Sequence, residues 1–304
     1  ALLSKIDSRN GGLIGAPKFM MPTLLKFFYQ GGLLCSNTLA RNHFHFSLKK
    51  MALGGIFDAV HGGFSRYAVD DQWHIPHFEK MGYDNGQLIS LYAQAYKEKP
   101  EALYKETVDK TILFFKEHLC SPEGGFYAAL DADSLNQNKK LVEGAYYVWT
   151  QKEIEKLFPK EYPLVSAFYS IDEDGYWEEG NYVLRRMQSD EEFSKLHRLE
   201  LSELKLKVLG WNEVLLKERD KRSSPRLDDK IICSWNALLT SGLLEAYTSF
   251  KNSSHLNLAL KNLDFIERNF VSITGKLKRI SKGGVNKIDG FLEDYAAIIK
   301  LFID

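Results

Sequence analysis

Cysteine is scarce in this chain of 304 residues: three in all, Cys35, Cys120 and Cys233, far apart and never in a C-x-x-C pair. That scarcity argues against a disulfide framework and against a zinc knuckle, and leaves buried free thiols in a reducing, cytoplasmic compartment as the expectation. Charge of one sign is missing too, since forty basic and forty acidic residues cancel. With no net field to attract them, neither nucleic acid nor an anionic membrane is expected as a partner. Apolar runs are short: none nears the roughly 18 residues that cross a bilayer, and no signal-peptide pattern opens the sequence. Because it opens at Ala1 and stops at Asp304 inside an apolar periodic segment, a fragment of a longer protein is expected.

What the chain does have is helical period, over enough length to bury about three quarters of its unfolded surface. Apolar positions three and four apart predict helices over 22–30 and 37–53, with Gly54-Gly55 as a stop, and over 83–97 and 101–119 around Pro100, which suggests a tight helical hairpin. Further helices are predicted at 151–158, 161–170, 229–250 and 255–271, with one long charged helix over 189–220. Glycine-marked pieces with alternating aromatics, GGFSRYAV, GGFYAALDAD and EGAYYVWT, read as short hairpin strands.

A weak internal repeat runs through this pattern. Aligning Asn85 with Asn236 matches DNGQLISLYAQAY to WNALLTSGLLEAY, and DYAAIIKLF from Asp294 reads as a third copy. The first separation is 151 residues (236 − 85), consistent with a unit of roughly 50 residues recurring three times. Helical hairpins repeating in this way can close into a ring, with the loops ahead of the inner helices meeting at one mouth.

Candidate chemistry sits in those loops. In WHIPHFEKMGYDNGQL, Pro76 keeps the backbone before it out of helix, so His74 and His77 lie on extended or turning chain just before a helix that Asp84 or Asn85 can cap. Histidine exchanges its proton near neutral pH, and Glu79 or Asp84 can orient it. His61, Arg66, Tyr67 and Trp73 add a third imidazole, a hydrogen-bonding fork and flat faces. A zinc site from His61, His74, His77 and Glu79 lacks stereotyped ligand spacing, so no metal is expected, and no cofactor either. LDADS places Asp131 and Asp133 two apart, on one side of an extended segment, as paired carboxylates that glycosyl transfer needs. SSPRLDDKIICSWN marks a helix start with Asp229, Trp235 and Asn236, and FLEDY does so with Asp294. Each acid can equally be a cap or a solvated turn residue; their recurrence at helix starts describes a pocket for a polar, ring-shaped ligand.

HGGFSRYAVDDQWHIPHFEKMGYDNGQL, LDADS with EGAYYVWT, SSPRLDDKIICSWNALL, FLEDYA and GAPKF near the start together resemble the thioredoxin-domain-containing, spermatogenesis-associated-protein-like family, from about residue 11 to the end. The resemblance implies an all-α fold, an incomplete (α/α)6-type toroid of helical hairpins with short β-hairpins in its loops, like those of glycoside hydrolases and sugar epimerases. It also implies a thioredoxin-like domain as partner in a longer chain. Met20, Leu13 and Gly82 depart from the family pattern, and Gly82 adjoins the histidine loop. The expected function is carbohydrate chemistry on a small-molecule or oligosaccharide ligand. His74 or His77 would act as acid/base, Asp133 and Asp229 as carboxylates, and Trp73, Tyr83, Trp235 and Asn236 would hold the ring. The alternative is a ligand-binding module without turnover.

Overall fold

A computed structural model describes residues 2–304. Its α-helices are α1 (Pro22–Leu34), α2 (Thr38–Leu53), α3 (Gly82–Glu98), α4 (Ala102–His118), α5 (Gln151–Leu157), α6 (Tyr162–Tyr169), α7 (Asp190–Leu196), α8 (Leu201–Arg219), α9 (Cys233–Phe250), α10 (Ser253–Phe270) and α11 (Leu292–Ile303). The strands between them are two to five residues long. The fold is thus all-α, of paired helices with short β-pieces in the loops, as expected. The chain forms two compact units. One comprises the residues up to Met21 with Phe27–Phe78 and Ala132–Arg226; the other comprises Pro22–Lys26, Glu79–Asp131 and Leu227–Asp304.

In the second unit α9 packs against α3, α10 and α11. Glycine lets α3 and α9 approach at backbone distance: a Cβ on Gly86 would lie 2.8 Å from the Leu239 nitrogen, and one on Gly242 would lie 2.5 Å from the Gly86 carbonyl oxygen. Tyr83 meets Trp235 at 4.8 Å at one end, and Tyr96 meets Phe250 at 4.9 Å at the other, so the two helices run parallel. The repeat read from the sequence has a structural counterpart. Asn85 Nδ2 donates to the Met81 carbonyl and Asn236 Nδ2 to the Ile232 carbonyl, both at 2.9 Å and both four residues back. Its copies are packed neighbours, however, not three units apart, because residues 132–226 between them belong to the first unit. Neither Asp84 nor Asn85 caps α3: the cap is Met81, on extended backbone without a side-chain bond, which leaves Asp84 buried in the first turn.

In the first unit Lys18, 2% exposed, donates to Asp7 Oδ2 at 2.6 Å and to the Asp71 carbonyl at 2.8 Å. Its strand, Lys18–Phe19, pairs with Tyr67–Ala68, which pairs in turn with Pro76–His77. Leu204, Val208, Trp211 and Leu215 project at helical spacing from α8 into a core with Phe168, Phe193 and Trp149. Beyond them Arg219, 1% exposed, grips Asp58 with two nitrogens at 2.7 and 3.2 Å. The long helix expected over 189–220 is two helices. Ser189 and Glu192 form a reciprocal capping box that starts α7, and the chain turns out at Arg198, whose φ of 54° is left-handed. No glycine or proline marks this break, so periodicity alone runs through it.

The close approach of α3 and α9 sets a test. Gly86→Ala should destabilise the protein by about 1–3 kcal/mol, the usual cost of forcing atoms into a packed contact. Urea unfolding with an unchanged midpoint would contradict the packing described.

Candidate functional site

The histidine loop folds back as the sequence suggests. Pro76 and His77 form a short strand whose partner is Tyr67–Ala68, with His77 directly opposite Tyr67. Opposed residues share a face, and the two rings stack at 4.9 Å and 16°. His77 Nδ1 lies 2.7 Å from Oε1 of Glu143. Glu143 closes the hairpin of strands Asp133–Leu135 and Leu141–Glu143, whose turn is held by Asn136 Oδ1 accepting from the amides of Asn138 and Lys140 at 2.9 and 3.0 Å. The residue after Glu143 must be glycine: Gly144 has φ +72°, and a Cβ there would lie 2.5 Å from the Phe78 ring. Phe78 in turn stacks on Tyr147 at 5.6 Å and meets Trp177 at 5.4 Å. The contact of Phe78 with Gly144 therefore brings their chain neighbours, His77 and Glu143, together.

Glu143 borders a cleft of about 790 Å³ that the hairpin shares with Trp177, Asn181 and the end of α8. Arg222 forms part of the wall. Its guanidinium lies 3.9 Å from the centre of the Trp149 ring, donates to the Tyr146 and Val148 carbonyls at 3.2 and 2.5 Å, and pairs with Glu153 at 3.2 Å. Burial lowers the pKa of Arg222, with the Glu153 charge opposing that effect. The cleft thus combines an aromatic side, amide groups and a carboxylate held by an imidazole.

The other predicted residues divide between the two units. In the first, Trp73 is fully buried, and its indole N–H donates to the Asn10 carbonyl at 2.9 Å, so it cannot offer a face to a ligand. His61 is buried, and Arg66 is exposed. His74 is partly buried, donates to the Gly175 backbone and does not line the cleft; burial, then the nearby Arg185 charge, pulls its pKa down. Asp133 stands across the ladder from Glu143 but outside the cleft lining.

In the second unit, Asn85 and Asn236 are buried, and Asn236 clamps the Phe126 backbone with a donated bond of 3.0 Å and an accepted one of 2.7 Å. Asp294, fully buried, accepts from the Phe291 amide at 2.9 Å and from Arg279 at 2.8 Å. Protein atoms thus engage the Asn85 amide nitrogen, both polar atoms of Asn236 and the Asp294 carboxylate. Asp229 is exposed and paired with Lys282 at 2.7 Å, which lowers its pKa. The helix near it begins only at Cys233. Tyr83 and Trp235 are partly buried against each other, Glu79 is partly buried, and Asp131 ends a segment of the second unit while Asp133 lies in the first. Glu143 and Trp177 were not singled out in the sequence; the available signal for Glu143 is an acid immediately before a glycine ahead of paired tyrosines.

Fold and site together define an (α/α) helical-hairpin domain with a histidine-supported carboxylate at a polar cleft. No family model matches the chain. Over the region it spans, however, the chain is similar to spermatogenesis-associated protein 20. It is 32% identical to the Homo sapiens protein of that name over 331 residues, covering 98% of this chain and 42% of that protein. An uncharacterized Caenorhabditis elegans protein is 33% identical over 333 residues, covering 99% of this chain and 45% of its own length. The chain thus spans less than half the length of these curated relatives. Among solved structures, a cellobiose 2-epimerase from Spirochaeta thermophila aligns over 99% of this chain and 93% of its own, at 15% identity and a TM-score of 0.37. An α-1,6-mannanase variant from Salegentibacter aligns over 93% and 74% at 11% identity and a TM-score of 0.36. No helix among the described residues is long and apolar enough to cross a membrane.

The histidines yield a pH prediction. Burial lowers the pKa values of His43, His74 and His255 from the ordinary 6.5. Between the lowered values and 6.5 the unfolded chain binds more protons than the folded one, so stability rises with pH across that window and falls on acidification through it. Thermal midpoints measured from about pH 7.5 down to about 5 should fall, and less steeply in His74→Asn. An identical slope in that variant would contradict the assignment for His74.

Proposed function

We propose that this chain is a carbohydrate-active domain that binds a sugar-like ligand in the cleft of its first unit. Glu143 acts as the acid/base, and His77 orients it and carries its proton. The observation that supports this reading is the position of Glu143, which lines the cleft while His77 touches it at 2.7 Å from outside the lining. A carboxylate in contact with an imidazole has a proton donor or acceptor at hand, as is needed when a glycosidic oxygen leaves or when water is activated. Trp177 offers an apolar ring face and Asn181 an amide in the same cleft. Two-histidine epimerisation is less well supported, because His74 is engaged by the Gly175 backbone and does not line the cleft.

A second reading has its own observation. Glycosyl transfer uses two carboxylates; the sequence-predicted partners, Asp133 and Asp229, lie outside the cleft lining, and of the other acids inside it Glu153 and Glu218 are ion-paired and Glu178 and Glu179 sit exposed on a turn. That favours a binding module without turnover, which would present a glycan to a thioredoxin-like domain in a longer chain.

Incubation of the protein with neutral, amino and uronic sugar oligomers separates the two. On the enzymatic reading, turnover drops about 10²–10⁴-fold in Glu143→Gln while binding persists, and His77→Ala shifts the pH profile. Binding without turnover in the unaltered protein supports the module. If no oligomer binds, both readings fail.

A further inference from the structure

We infer that the ligand of this cleft is positively charged and belongs to the amino sugars with a free ammonium group. This rests on the sugar-binding reading above and narrows it. The charges in the lining are uneven once internal pairs are removed. Lys221 is paired with Glu218 at 2.5 Å, and Arg222 with Glu153 at 3.2 Å and with backbone carbonyls. What remains unpaired in the lining is Glu178 and Glu179 against the single cation Lys139, with Glu143 held by His77 at 2.7 Å.

Their placement adds a second argument. Glu178 and Glu179 follow Trp177 directly in a tight turn, closed by the Asn181 amide donating to the Glu178 carbonyl at 2.8 Å, with Glu179 held at a left-handed φ of 50°. Trp177 is fixed by its contact with the Phe78 ring at 5.4 Å, and it lines the cleft alongside them. An aromatic face flanked by carboxylates attracts an ammonium group through both the ring quadrupole and the charges. A uronate or a phosphorylated sugar meets like charge at the same positions. A ligand bearing several hydroxyls and one ammonium group uses the whole set: the indole face, the amide of Asn181 and the three acids.

Calorimetric titration of the 304-residue chain with a glucosamine tetramer, its N-acetylated counterpart and a galacturonate tetramer tests this. The glucosamine oligomer should bind at least about tenfold more tightly than the acetylated one, with the uronate weakest. The gap should shrink when salt is raised from about 0.05 to about 0.5 M. It should also close in the double variant Glu178→Gln, Glu179→Gln, whose exposed turn positions bear on no core packing. Equal binding of amine and acetylated oligomers overturns the charge inference and leaves the sugar reading standing. Spermidine binding as tightly as the glucosamine oligomer overturns the assignment to a sugar amine. Failure of every oligomer to bind removes the sugar reading itself.

Discussion

The candidate site depends on a single steric constraint, the seating of the Phe78 ring on the bare backbone of Gly144. A Cβ at Gly144 would lie 2.5 Å from that ring, and the residue's φ of +72° is one that side chains rarely adopt. Neither position carries chemistry. Each is one residue from a group proposed to act in the cleft, and their contact puts the His77 imidazole on the Glu143 carboxylate. Around it the constraint propagates: the Gly144 amide donates to the Ala132 carbonyl at 3.1 Å, and its carbonyl accepts from Tyr147 and Val148, which anchors the start of the segment that carries Tyr146, Tyr147 and Trp149. Burial of Phe78 among Tyr147, Val183 and Trp177 then stabilises the hairpin and one side of the cleft together.

In the second unit the organising contact is also made by glycine, but it serves architecture. Gly86 and Gly242 allow α3 and α9 to lie side by side and parallel, and Asn85 and Asn236 perform the same local task one turn into each helix. In each case the side-chain amide donates to the carbonyl of the N-cap residue, Met81 or Ile232, at a point where a short strand runs directly into a helix.

Much of the fold could be read from the sequence because it is written in period. Pro100 between two amphipathic runs, Gly54 after α2 and the aromatic pieces between helices each translate directly into an element. The break at Arg198 could not be read, since it is made by a capping box and a left-handed residue inside an unbroken polar–apolar pattern. The site was partly legible. His77 stood out because Pro76 forces extended backbone before a helix, and Tyr67 was named beside it. Its partner Glu143 was hidden, because a contact across 66 residues of sequence leaves no local trace. Polar residues also misled. Trp73, Asn85, Asn236 and Asp294 look like ligand groups in sequence, but each is buried and bonded to protein atoms. In a chain that folds by capping many short elements, polar residues at helix starts more often close the backbone than face a ligand.

The central claim, that Glu143 backed by His77 meets a sugar in this cleft, is tested most directly by a crystal structure of the protein with a glucosamine oligomer bound. The account predicts a sugar ring against the Trp177 indole, with a ring hydroxyl, glycosidic oxygen or ammonium group about 3 Å from the Glu143 carboxylate. An oligomer bound elsewhere on the protein, with Glu143 and Trp177 uncontacted, would contradict it.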